Sequence, residues 1–134
     1  MGFGDSVLKL ILWIPYPPSM NTYWRNFRGR TVLSAAGREF KKHLSAAVTE
    51  KFLEEGIEGF NDRPVAVTII LHPRDRRRTD IDNRVKPVLD ALEDAGVFDN
   101  DSQVELLLVK RDEMRKGGAC WVLIEDYVPP LVTG

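Results

Sequence analysis

The stretch from Pro64 to Pro73 constrains the fold more than any other part of the chain. Pro64 opens a strand over Val65 to Leu71. Val65, Val67, Ile69 and Leu71 take one face, while Ala66, Thr68, Ile70 and His72 take the other. Both faces are therefore partly covered by the rest of the protein. A chain of 134 residues can supply that cover. At this size folding takes the accessible surface from about 22,000 Å² to about 7,100 Å², so roughly two-thirds is buried without staples or structural metals. Composition, 43% hydrophobic and 29% charged, lies in the globular range. A single cysteine, Cys120, excludes an intrachain disulfide framework, and with only two histidines it argues against a zinc-built fold. No apolar stretch approaches the roughly 18 residues of a membrane span. The expectation is a soluble, cytoplasmic protein of a reducing compartment.

Val7 to Ile14 is an apolar run of strand length, ended by Pro15, Pro17 and Pro18, which lack the amide that a central ladder needs. Met20 to Arg30 reads as a loop in which Tyr23, Trp24 and Phe27 are interleaved with arginines. That pattern suits either base stacking with phosphate contact or a structured rim. Ser34 can cap a helix that carries Phe40, Leu44, Ala47, Val48 and Phe52 at three- and four-residue spacings, with Gly56 or Gly59 as its stop. His72, beside Pro73, reads as structural in preference to a ligand. Asp82 to Gly96 is a second helix with the stripe Val85, Val88, Leu89, Leu92 and Ala95. Pro87 fits only a first turn, so the regular helix starts nearer Arg84. Strands follow at Gln103 to Lys110 and Ala119 to Glu125, joined through Lys116-Gly117-Gly118 and expected to pair as an antiparallel hairpin. Tyr127 to Gly134, holding Pro129 and Pro130, is a tail able to dock on a neighbouring subunit.

The order strand, helix, strand, helix, strand, strand predicts one mixed α/β domain, α+β in character, over residues 1–134, with a mixed β-sheet packed by two helices. Met1-Gly2 with Ser6 fits the loose myristoylation pattern, but no basic cluster follows to add a second anchor. A secretory signal is not expected either, since Asp5 and Lys9 break the apolar start.

A formal net charge of −1 conceals a segregated distribution. Arg25, Arg28, Arg30, Arg38, Lys41, Lys42 and Lys51 crowd one segment, and Arg74, Arg76, Arg77, Arg78, Arg84 and Lys86 crowd another. The offsetting acids gather between Glu54 and Glu58 and between Asp90 and Glu105. Such segregation fits either a locally basic binding surface or an ordinary solvated one.

Asp80 and Asp82 stand two apart between the strand ending near His72 and the second helix. In an extended or turn segment such residues can aim at one hard cation. A third carboxylate, Asp99 or Asp101, returns from the turn after the helix, and Lys86 lies one helical turn beyond Asp82. Mg²⁺ needs only one or two carboxylates with water and phosphate. A metal-activated water with a lysine to stabilise negative charge makes a phosphodiesterase site. Residues capping a helix and solvating a turn would also explain Asp80 and Asp82.

The run Asp75-Arg76-Arg77-Arg78-Thr79-Asp80-Ile81-Asp82-Asn83-Arg84-Val85-Lys86 continues into Leu89-Asp90-Ala91-Leu92, Ala95-Gly96 and Asp101-Ser102-Gln103-Val104. With Pro15 to Ser19, Asn21, Tyr23, Arg25, Arg30 and Ser34 to Gly37, it resembles the RusA family of Holliday junction resolvases over roughly residues 10 to 125. The resemblance implies a small homodimeric, Mg²⁺-dependent endodeoxyribonuclease, bacterial or prophage-encoded, that places paired symmetric nicks in branched DNA, the four-way junction. It makes Asp80, Asp82 and Asp101 the metal-binding catalytic carboxylates, the Gln103-Val104 context favouring Asp101 over Asp99, and Lys86 the catalytic lysine. Arg25, Arg30, Arg76, Arg77 and Arg78 are expected to meet DNA phosphates. Thr79 departs from the family pattern, in which the arginine run can continue. A non-catalytic junction-binding protein of the same fold and a broader nuclease of flaps or forks are the alternatives. The apolar strands 103–110 and 119–125, with Trp121 as an interface aromatic, are the candidate dimer surface.

Overall fold

The computed structural model describes residues 8–131. Strands β1 (Lys9–Ile14), β4 (Val65–His72), β5 (Val104–Arg111) and β6 (Ala119–Asp126) form one sheet in the order β1-β6-β4-β5. Strands β2 (Trp24–Phe27) and β3 (Arg30–Leu33) make a separate hairpin, and the helices are α1 (Met20–Tyr23), α2 (Ala35–Glu55) and α3 (Val85–Asp94). The fold is mixed α/β, as expected. Val7, the myristoylation pattern and the last residues of the tail lie outside the described residues.

Strand β4 is interior, as its two-sided pattern predicts. It pairs antiparallel with β6 and parallel with β5. The expected β5–β6 hairpin is therefore wrong: the two strands flank β4 on opposite sides. A strand, crossover helix, strand sequence brings its two strands side by side in parallel, and α3 is that crossover. The connection out of β5 then passes over the end of β4. Asp112 N donates to Leu71 O (2.9 Å), Arg115 N donates to Pro73 O (2.9 Å), and His72 Nδ1 donates to Glu113 O (2.8 Å). His72 is thus buried and structural.

The stretch Met20 to Arg30 is also corrected: it is not an irregular loop but α1 followed by the first strand of a hairpin. Phe27 pairs with Arg30, leaving Arg28 (φ 52°) and Gly29 (φ 76°) as a two-residue turn with both residues left-handed, the form that matches strand twist. Ser34 caps α2 as expected. Its Oγ accepts from Gly37 N (3.0 Å), a contact worth about 1 kcal/mol. A side chain at Gly37 would collide with the Tyr23 carbonyl, so glycine there lets α1 and α2 meet closely. Helix α3 begins at Val85, which puts Pro87 in the first turn, where its missing amide has no intrahelical acceptor to lose.

Helices α2 and α3 cover one sheet face. Phe40, Leu44 and Val48 of α2 and Val88, Ala91 and Leu92 of α3 share a single core with Leu10, Leu12, Ile14, Val67, Ile69, Leu71, Val122 and Ile124 of the sheet. The opposite face carries no helix among the described residues. Ile11, Trp13, Leu106 and Leu108 are exposed there, and Ile70, Trp121 and Leu123 are half-buried. No helix among the described residues is long and apolar enough to cross a membrane.

Candidate active site

Parallel strands end at the same edge of a sheet, so the carboxyl ends of β4 and β5 and the loop leaving β4 converge on one place. Ligand sites in open α/β sheets form at this kind of edge. The loop from Pro73 to Ile81 has no regular structure and carries the arginine run. Within it Asp75 accepts from Arg77 N (3.0 Å) and Arg77 Nη2 (3.0 Å), which holds the Asp75 carboxyl below its usual range and the Arg77 guanidinium above its own. Arg76 is exposed. Arg78, Thr79, Asp80, Asp82 and Arg111 line a polar cleft of about 430 Å³. No ion pair among the described residues includes Asp80 or Asp82.

Asp82 opens a single 3-10 turn, Asp82–Arg84, that leads directly into α3. Arg84 fastens this turn to the segment before α1: its Nη1 donates to Pro17 O (2.8 Å) and its guanidinium lies 5.0 Å from the Tyr16 ring centre. Tyr23 Oη donates to Asp90 (2.6 Å) and ties α1 to α3, and burial with that bond raises the Tyr23 pKa. One turn along, Lys86 Nζ meets Asp101 Oδ2 at 2.5 Å. The bond raises the Lys86 pKa against a smaller opposing effect of burial, so the ammonium stays charged. Val85, Leu89, Leu107 and Val109 line a second, apolar cleft of about 430 Å³ with Asp82 and Lys86.

The third acid is placed by a second 3-10 turn, Asp101–Gln103. Asn100 Oδ1 accepts from Ser102 N (2.8 Å), while Gln103 Oε1 accepts from Asn100 N (2.9 Å), a reciprocal cap. Gln103 Nε2 donates to the carbonyls of Asn61 (2.7 Å) and Arg63 (2.6 Å), anchoring the turn to the segment before β4. Asp101 N donates to Glu93 Oε1 (2.9 Å). Asp101 therefore faces Lys86, whereas Asp99 is exposed and bonded through its backbone amide.

Of the residues predicted from sequence, the structure gathers Asp80 with Asp82 in one cleft, Asp82 with Lys86 in the next, and Lys86 with Asp101. It does not bring all three carboxylates together: no three His, Cys, Asp or Glu among the described residues are close enough to hold one ion. The donors are all hard carboxylate oxygens, the kind Mg²⁺ takes in ones and twos beside water and phosphate, so the residues fit that ion. Arg25 and Arg30 stand exposed on the hairpin and line neither cleft, and Arg25 lies over the Phe27 ring at 5.2 Å. Sequence reasoning missed Arg111. Its signal was the strand–helix–strand order, which demands a parallel β4–β5 pair and puts Arg111 beside the acidic loop.

Adjacent carboxylates and arginines in one cleft, with a charged lysine in the neighbouring cleft that Asp82 also lines, are suited to binding a hard cation and a phosphate together, the requirement of metal-assisted phosphodiester hydrolysis. Residues 15–122 match the family described as Endodeoxyribonuclease RusA. The chain is 38% identical over 113 residues to the crossover junction endodeoxyribonuclease RusA of Escherichia coli (strain K12), a match covering 84% of this chain and 91% of that relative. Identity and coverage are the same for the proteins of that name from Enterobacteria phage 82 and Shigella sonnei (strain Ss046). The chain belongs to the RusA family.

Proposed function

We propose that this chain is a Mg²⁺-dependent endodeoxyribonuclease that resolves four-way DNA junctions by paired, symmetric phosphodiester hydrolysis, acting in the cytoplasm as one domain over residues 1–134. The observation that carries the reading is the Lys86–Asp101 pair standing one helical turn from Asp82 at the end of the Asp-Ile-Asp loop. Asp80 and Asp82, which share one cleft, would hold the ion, and Asp101 would join them on its binding; the ion would supply an activated water and neutralise phosphate charge. Lys86, kept protonated by Asp101, stabilises the negative charge that develops on the phosphate oxygens. Arg78 lines the cleft and meets a neighbouring phosphate. Arg76, Arg77, Arg25 and Arg30 extend the contact to the backbone of the junction arms, positioning without reading sequence.

Paired nicks require two sites, and an isologous homodimer matches the two-fold symmetry of a four-way junction. The uncovered sheet face supports that assembly. Leu106 and Leu108 are 55% and 51% exposed on the edge strand β5, and Ile11 and Trp13 are exposed on the same face of the opposite edge strand β1, so this face offers apolar surface to a partner. Leu107 and Val109, which line the apolar cleft, alternate with Leu106 and Leu108 along β5 and so take the opposite face of the sheet. Sedimentation equilibrium should give a species of about 30 kDa, twice the 15.2 kDa chain, and Leu106→Glu with Leu108→Glu should give a folded monomer. A monomeric wild-type protein at micromolar concentration overturns the dimer.

The function is tested by incubating the protein with a labelled mobile four-way junction, a matched linear duplex and a flap, with and without Mg²⁺. Symmetric nicking of the junction, in Mg²⁺ only, is the expected result. Equal cleavage of the flap establishes a broader branched-DNA nuclease, and tight binding without cleavage establishes a binding protein.

A further inference from the structure

Arg111 ends β5 and pairs with Leu71 in the parallel ladder, so it stands where β4 hands over to the acidic loop. Its Nη2 donates to the Thr79 carbonyl. That carbonyl belongs to the peptide whose amide is Asp80. The guanidinium therefore holds the backbone at the bond directly before the first acid, and it lines the same cleft as Asp80 and Asp82.

Two further observations give the contact weight. The loop from Pro73 to Ile81 has no secondary structure, so the aim of Asp80 depends on a few tethers. One lies within the loop, Arg77 to Asp75; another follows Asp80, where Arg84 N donates to Ile81 O (3.1 Å); Arg111 ties the loop to the sheet. The charge of Arg111 is also uncommitted. The neighbouring Lys110 pairs with Asp112, but no ion pair among the described residues includes Arg111. A guanidinium has five N–H donors, and the Thr79 carbonyl takes only part of that capacity. The same cation opposes the mutual repulsion of Asp80 and Asp82 without sealing either in a salt bridge.

We infer that Arg111 is a positioning residue of the cleavage reaction: by gripping the Thr79 carbonyl it fixes the Thr79–Asp80 peptide, and with it the aim of Asp80. The inference rests on Asp80 and Asp82 being acids of the active site.

The test measures single-turnover cleavage of a four-way junction in Mg²⁺ at saturating enzyme, with gel-shift binding in the absence of metal and a thermal unfolding curve for each variant. Arg111→Ala should slow cleavage by about 10- to 100-fold, because a small misplacement of a reacting group is costly, while junction affinity changes by less than about threefold. Arg111→Met keeps the packing of the stem, and should be equally slow with a wild-type unfolding curve. Arg111→Lys, with a single-pronged cation, should recover part of the rate. Guanidinium ion at millimolar concentration, far below the denaturing range, should accelerate Arg111→Ala and leave the wild type unchanged. Lys110→Ala serves as the neighbouring-charge control and should cleave normally. Asp80→Asn separates the two levels of the argument. If Asp80→Asn is inactive and both Arg111→Ala and Arg111→Met cleave within twofold of wild type, Arg111 has no positioning role and the active-site reading stands. If affinity falls in step with rate, Arg111 is a DNA contact and this inference is overturned. If Asp80→Asn itself cleaves normally, the acidic site is wrong and the role of Arg111 falls with it.

Discussion

The two halves of the acidic site are built by opposite means. Asp80 sits on irregular backbone and Asp82 opens a 3-10 turn with no side-chain cap, both free of ion pairs among the described residues, in a cleft that arginines share. Asp101 sits on a capped 3-10 turn, half-buried, its backbone amide held by Glu93 and its carboxylate against Lys86. One half keeps its carboxylates open but loosely held; the other is rigid and already neutralised by a lysine. Carboxylates close enough to share an ion repel each other when it is absent, so a site of this kind gains from committing one acid to an internal cation. The pair also keeps the ammonium charged and in place.

The largest effects should come from the open half. Asp80→Asn and Asp82→Asn each remove a negative charge at nearly constant size. Each should lower single-turnover junction cleavage by about a thousandfold or more while metal-free binding persists or tightens. Asp101→Asn should match them, and Asp99→Asn, whose carboxylate is exposed and away from Lys86, should cleave within about threefold of wild type. Equal losses at Asp99 and Asp101 would erase the distinction between a committed and an uncommitted third acid. Normal rates for both Asp80→Asn and Asp82→Asn would remove the open half from the mechanism.

The same division explains what could be read from the sequence. Local signals worked wherever neighbours in sequence are neighbours in space: the Ser34 cap, the Gly56 stop at φ 64°, the two-sided strand from Val65, and the pairing of Asp80 with Asp82 in one cleft. The hairpin of β2 and β3 escaped because Trp24-Arg25-Asn26-Phe27 lacks apolar alternation and its turn is Arg28-Gly29, without the usual asparagine. The partner of β5 escaped for a deeper reason. Leu106-Leu107-Leu108 announces a strand, but side-chain period says nothing about which strand lies alongside, and a hairpin was the nearer choice. The contact of Asp101 with Lys86 and that of Arg111 with Thr79 both depend on the crossover, and neither is written in local spacing.

An intermediate effect is expected at the rigid half. Lys86→Ala should reduce cleavage by about 100-fold through loss of transition-state charge stabilisation, with little change in metal-free binding. Its pH behaviour tests the pairing separately. Folding raises the Lys86 pKa above the ordinary lysine value of 10.5, chiefly through the bond to Asp101. A raised lysine pKa contributes stability in full below the unfolded value, and that contribution disappears as pH rises through the folded value. The thermal stability gap between wild type and Lys86→Met should therefore be constant from neutral pH to about pH 10 and close above it. The pair is partly exposed, so the gap should be under about 1 kcal/mol. A gap that closes below pH 9 would mean Lys86 is not held by Asp101 in solution.

The smallest effect concerns the arginine run beside the open half. Asp75 occupies Arg77 through the backbone amide and the guanidinium, while Arg78 lines the cleft. The two arginines, adjacent in sequence, should thus differ in what they give to DNA. Arg78→Ala should weaken junction binding about equally for any sequence and flatten the dependence of log K on log salt by about one unit, the signature of one lost phosphate contact. Arg77→Ala should change the slope by less, because part of its charge is spent on Asp75. Asp75→Asn then sharpens the contrast. It releases Arg77 and removes a nearby negative charge, so binding should tighten by a few-fold and the slope should steepen. If Arg77→Ala flattens the slope as much as Arg78→Ala, phosphate displaces Asp75 on binding, and the Asp75–Arg77 pair is a resting contact that DNA exchanges for its own.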